Sequence, residues 1–329
     1  MRRWTIALSV LLVVIVVVII VMFTADQAGE TTTTALGGST TTTIQGTTTT
    51  DDETTSTAGE STTSTGGMTT TTTSAPEGLE GNWAEEPLIA AGFGALGWWD
   101  GGGWVQVEEG TSLPIAGGED YQIALLGLEA RTTGSGEQLL CEPLNNPGVV
   151  LADEEALGDW PGPYGVAISA NWVLSPHLVQ ETTDDGSYAT VASGLLAERG
   201  LTVDNPIIKQ VIRFDLEGDG VNEVLAVAED VPDGLLAEEG DYSIAFLQKV
   251  VQGDVATSVI GESVVLEPAE GETPFVLSFS VAAIADMNGD SRMEIILDSS
   301  YYEGVAVEVW EYVNDDIGPM AQVSAGCGA

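Results

Sequence analysis

The sequence predicts a mainly β fold with one or two helices, set behind an N-terminal transmembrane helix and a disordered stalk. Three observations carry this. An uncharged apolar run opens the chain, and a threonine-rich tract follows it. Beyond about residue 80, short runs rich in Val, Ile and aromatics alternate with Gly, Pro, Asp and Asn.

Residues 4–23 read WTIALSVLLVVIVVVIIVMF, about the 20 apolar residues that a helix needs to cross a bilayer. Arg2 and Arg3 precede the run, and the first charges after it are Asp26 and Glu30. Positive charge stays on the cytoplasmic side, so residues 1–28 form a cytoplasmic stub and signal anchor with the C-terminus outside. A cleaved signal peptide ending near Ala25 is the alternative, although the run exceeds the usual apolar stretch of about 7–15 residues. Either reading gives an extracytoplasmic domain, secreted in the second case. Residues 29–80, of the type TTTTALGGSTTTTIQGTTTT, hold too few apolar groups to offset the entropy of ordering, so this tract is a spacer.

Residues 81–329 form the folded domain. Its strand-like runs include WVQVEE, YQIALLGLEA, QVIRFDL, EVLAVAE, YSIAFLQKVV, MEIILDSS and GVAVEVWEYV. Residues 188–199 are the best helix candidate, with Asp184 and Asp185 near the start and Gly200 just past the end.

The chain carries 51 acidic residues against 8 Lys and Arg, a net charge of −43. Such a surface repels phosphates, which excludes nucleic acid as a partner. Cations are its natural partners; adaptation to a saline medium explains the overall charge equally well, but not the spacing of particular aspartates. Cys141 and Cys327 are the only cysteines. In an extracytoplasmic protein they predict one disulfide, the alternative being two buried free thiols.

An internal repeat marks residues 206–325. The strand QVIRF runs into Asp215-Leu-Glu-Gly-Asp-Gly-Val-Asn-Glu223, and VAAIA runs into Asp286-Met-Asn-Gly-Asp-Ser-Arg-Met-Glu294. Each acidic loop leads into a second strand and then a third. The shared pattern D-x-[DEN]-G-D-[GS]-x-x-E supplies side-chain oxygens from Asp215, Glu217, Asp219 and Glu223, and from Asp286, Asn288, Asp290 and Glu294. The seventh position, Val221 or Arg292, adds a backbone carbonyl. An all-oxygen set with glycines that let the backbone curl is what calcium requires. The alternative is a pair of polar turns in an acidic protein. An EF-hand fails, because position twelve holds Ala226 and Leu297 and the flanks are strands.

These loops and the strands beside them resemble the FG-GAP or VCBS class of repeat, in which a calcium loop joins two strands of a β-propeller blade. Glu217 stands where that class has Asp or Asn, and Ser291 where it has glycine. The resemblance implies propeller-like β repeats in the C-terminal half, with calcium on the residues named above in a structural role, and adhesion or ligand binding by analogy.

The sequence argues against catalysis. His177 is the only histidine and lies in a loop-like stretch with no nucleophile pattern nearby. Trp98, Trp99, Trp104, Trp160 and Trp172 would stack on sugar rings if exposed in a row, but such residues are more often core. The leading reading is a membrane-anchored cell-surface domain, calcium-stabilised, that binds a protein or glycan. The alternatives are a polysaccharide hydrolase using an Asp/Glu pair, whose mark is an aromatic-lined cleft with two carboxylates, and an inert acidic envelope protein.

Overall fold

The computed structural model describes residues 79–328, apart from 159–162, 183–185, 232–236 and 268–273. The membrane segment, the stalk, Trp160, Asp184 and Asp185 lie outside the described residues. No described helix is long and apolar enough to cross a membrane. The described chain is mainly β, with one α-helix and four sheets, none closed into a barrel.

The first sheet has six antiparallel strands: β1 (Leu88–Ala91), β2 (Gly94–Trp99), β3 (Trp104–Gln106), β4 (Asp120–Leu125), β5 (Leu128–Thr133) and β8 (Val166–Ile168). Their order is β3-β2-β1-β8-β4-β5. Between β5 and β8 lie the small hairpin β6 (Gln138–Leu140) and β7 (Asn146–Gly148) and a 3-10 turn at Glu154–Leu157. The second sheet runs β13-β12-β11-β10-β9, from β9 (Val179–Thr182), β10 (Ile208–Phe214), β11 (Glu223–Asp230), β12 (Tyr242–Val251) and β13 (Asp254–Val264). The third is a four-stranded meander of β14 (Ser278–Ala285), β15 (Glu294–Tyr301), β16 (Gly304–Asn314) and β17 (Gly318–Gly328). Helix α1 spans Ser187–Glu198, one residue from its predicted bounds.

The apolar runs of β11 and β15 lack a polar face because each strand is covered on both sides. On β11, Leu225 and Val227 face the third sheet, while Ala226 and Ala228 face the core under α1. On β15, Ile295 and Leu297 join Ile212 and Phe214 of the second sheet, while Ile296 joins Leu96 and Ile168 of the first. The third sheet therefore packs between the other two.

Its edge strand β14 would leave backbone amides unpaired. Side chains of the second sheet meet them: Phe279 donates to Ser243 Oγ at 3.0 Å and Val281 to Gln210 Oε1 at 2.8 Å, and just before the strand Leu277 donates to Ser263 Oγ at 3.0 Å. At the C-terminal end, the Cys141–Cys327 disulfide ties β17 to the turn between β6 and β7.

One buried group on β15 is poorly matched. Asp298 is 3% exposed. Its Oδ2 accepts from Ser280 Oγ at 3.1 Å, while Oδ1 has no partner among the described residues. Burial pushes its carboxyl up to about 7, against a smaller downward pull from Ser280. An unfolded aspartate titrates near 3.9, so the folded protein holds the extra proton between those values. The stability this contributes is fully present below about pH 4 and is lost as pH rises through about 7. Urea unfolding midpoints should fall across that window, and Asp298→Asn should flatten the fall.

Candidate metal centre

The two acidic loops fill the same place in the second and third sheets. Loop 215–222 joins β10 to β11 and loop 286–293 joins β14 to β15. Phe214 pairs with Glu223 and Ala285 with Glu294, so each loop closes in the same register.

Their internal bonding also matches. In the first loop Asp215 accepts the amides of Asp219 at 3.0 Å and Gly220 at 2.8 Å. Asp219 accepts that of Val221 at 2.8 Å, and Glu223 accepts that of Leu216 at 2.9 Å. In the second, Asp286 accepts the amides of Gly289 and Ser291 at 2.6 and 2.9 Å. Asp290 accepts that of Arg292 at 2.8 Å, and Glu294 that of Met287 at 2.6 Å. Asn288 donates to Glu294 at 3.2 Å and accepts the Asp290 amide at 3.0 Å. The fourth and sixth positions are left-handed in both: Gly218 and Gly220 have φ of 73° and 84°, Gly289 and Ser291 81° and 69°. Ser291 thus holds a conformation that favours glycine, which accounts for glycine at the matching Gly220.

The loops touch. The Met293 amide donates to the Leu216 carbonyl at 3.0 Å, and Arg292 Nη2 donates to Glu217 Oε1 at 2.9 Å. His177 lies between them, its Nε2 3.0 Å from the Ser291 carbonyl. A Cβ added at Gly218 would come within 2.6 Å of its ring. Trp172 lies against Gly289 and donates to the Asp286 carbonyl at 2.9 Å.

The charge balance of the two loops differs. Val224 pairs with Gln248 and Ile295 with Trp310. The next residue along the third strand, beside the loop glutamate, is therefore Lys249 in one sheet and Glu311 in the other. Lys249, 7% exposed, forms an ion pair with Glu217 and lies 3.6 Å from Glu223. Burial alone would lower its pKa, but the Glu217 hydrogen bond and the fields of Glu223 and Glu217 hold it above the ordinary value. Both Glu217 oxygens are thus engaged by cationic side chains, Lys249 and Arg292. Burial raises Glu223, and the Leu216 amide and Lys249 oppose it.

In the second loop, burial raises Asp286 and drives Glu294 well above the ordinary carboxylate range. The fields of Asp286, Asp290 and Glu311 push Glu294 further up. Among the described residues no Lys or Arg forms an ion pair with any of these carboxylates. The donors are all oxygen, and each oxygen bonded to one amide keeps a second lone pair. That chemistry suits a hard divalent cation. Among the described residues no group of three His, Cys, Asp or Glu side chains is placed to hold a metal ion. The loop carboxylates are anchored on amides instead.

The residue pattern pointed to ten loop positions, and the structure brings both sets into one neighbourhood. It missed Lys249 and Glu311, whose importance emerges only from the register of the third strand. The described tryptophans form no exposed row: Trp98, Trp99, Trp104 and Trp172 are half-buried, and Trp104 donates to Glu311 at 2.9 Å. Comparison with family models, with curated proteins and with solved structures finds no match for this chain.

Proposed function

We propose that this chain is a membrane-anchored cell-surface protein whose acidic β domain is stabilised by calcium and binds a protein or glycan ligand. In this reading the two repeats are propeller-type blades of the FG-GAP kind, carried outside the cytoplasm on the stalk. The supporting observation is the second loop: Asp286, Asp290 and Glu294 share a frame with the first loop but lack its basic counter-charge. Calcium supplies that charge, and Asp286, Asn288, Asp290 and Glu294 hold it, with the Arg292 carbonyl. The first loop, where Lys249 and Arg292 already balance Glu217, is the weaker site. Calcium here fixes the loops and their strands.

The test is thermal unfolding of the detergent-solubilised full chain in calcium, with magnesium as control. At a hundredfold excess over Kd, binding contributes about 2.7 kcal/mol, a rise of several degrees for a domain of this size. Equal responses to calcium and magnesium would count against the reading.

A further inference from the structure

A groove of about 1260 Å³ opens beside the acidic loops. One wall is the β4–β5 hairpin, with residues 122–125 of β4 and Leu128, Ala130 and Arg131 of β5; the other is Leu178 with Val179 and Glu181 of β9; and residues 283–285 of β14 line it between them. β5 and β9 are the outer strands of their sheets. Apart from Thr133, whose carbonyl accepts from Ala152, their outward edges have no strand partner among the described residues. An edge of this kind is a ready template for another strand.

The groove wall carries exposed apolar side chains. Leu178 is 78% exposed, Val173 43% and Leu128 37%. In a chain with net charge −43, the described side chains of the groove wall include one carboxylate, Glu181, beside the Arg131 guanidinium and the His177 imidazole. Arg131 is exposed and sits 5.6 Å from the Trp83 ring centroid. It forms no ion pair with any described carboxylate, whereas Arg199, Lys249 and Arg292 all do. An exposed cation with no ion-pair partner among the described residues, beside exposed leucines, calls for an occupant that is apolar and carries a carboxylate. A second copy of the chain is a poor candidate, because two such anions repel.

We infer that the groove docks an extended peptide segment of a partner protein. The segment adds along the β5 edge, sets apolar side chains against Leu128 and Leu178, and places one Asp or Glu on Arg131. Outside that one acid it is neutral or basic, as the field of the domain requires. The inference rests on the reading of this domain as a binding module and does not depend on calcium.

A displayed library of random dodecapeptides, selected on the full chain both in calcium and in EGTA, tests it. Enriched peptides should alternate apolar residues and carry an Asp or Glu. A synthetic copy should bind, by fluorescence anisotropy, at least ~10-fold more weakly to Leu178→Asp and to Arg131→Glu and equally well to Asp290→Ala. Leu178 and Arg131 are exposed, so both variants should melt like the parent chain. Failure of any peptide to enrich, or equal binding to all the variants, would overturn the inference. So would a dimer in sedimentation that Leu178→Asp dissolves, since that would assign the groove to a second copy. Peptide binding that persists while calcium leaves the melting point unmoved would sink only the calcium reading.

Discussion

Replacing Lys249 by methionine should destabilise the calcium-free protein by about 3–5 kcal/mol, the usual cost of leaving buried charges without their partner. Glu223 is 1% exposed and has Lys249 as its basic neighbour, while Glu217 would keep only Arg292. The methionine preserves most of the apolar stem, so the loss reports charge and not volume. Calcium should then restore much of the lost stability, because the first loop would resemble the second, where Glu311 stands at the corresponding place. Denaturant unfolding of Lys249→Met in EDTA and in calcium measures both effects. An equal loss in the two buffers would show that Lys249 does not substitute for a cation.

The second large effect concerns the C-terminal strand. The Cys141–Cys327 bridge spans 186 residues of sequence, so cutting it frees a long loop in the unfolded chain. Cys327→Ser paired with Cys141→Ser should cost about 2–5 kcal/mol. β17 is the edge of its sheet and pairs with β16 alone. Its amides should therefore gain the most in hydrogen-exchange rate, while those of β11 stay protected. Uniform loss of protection across the three large sheets would contradict this local account.

Much of the β architecture was legible in the sequence. β10, β11, β12, β14, β15 and β16 are dense in Val, Ile and aromatics, and the helix lies where Gly200 marks its end. β13 and β17 were not legible. DVATSVIGESV and GPMAQVSAGCG hold many small and polar residues because both are edge strands, largely open to solvent in β13. Pairing with β12 and β16 specifies them more than their own propensity does. The short strands β1 and β2 were missed for a related reason. Ala and Gly fill LIAA and GALGWW where packing is close, and a Cβ at Gly97 would meet the Val105 carbonyl at 2.4 Å. YQIALLGLEA read as one strand but folds as two, turning at Leu126 and Gly127, where Gly127 takes φ of 72°.

At the candidate site, the loop oxygens were legible because their spacing is local. The contact between Leu216 and Met293, the seat of His177 and the opposed signs of Lys249 and Glu311 were not. They depend on how two sheets dock, which local spacing does not encode.

The central claim is that the second loop holds calcium and that the first is largely balanced by the protein's own cations. Calorimetric titration of calcium into the full chain, with Asp290→Ala and Asp219→Ala beside it, tests that claim most directly. The account predicts one tighter binding step that Asp290→Ala removes and Asp219→Ala leaves in place. A tight step that survives Asp290→Ala, or that vanishes equally in both variants, would contradict it.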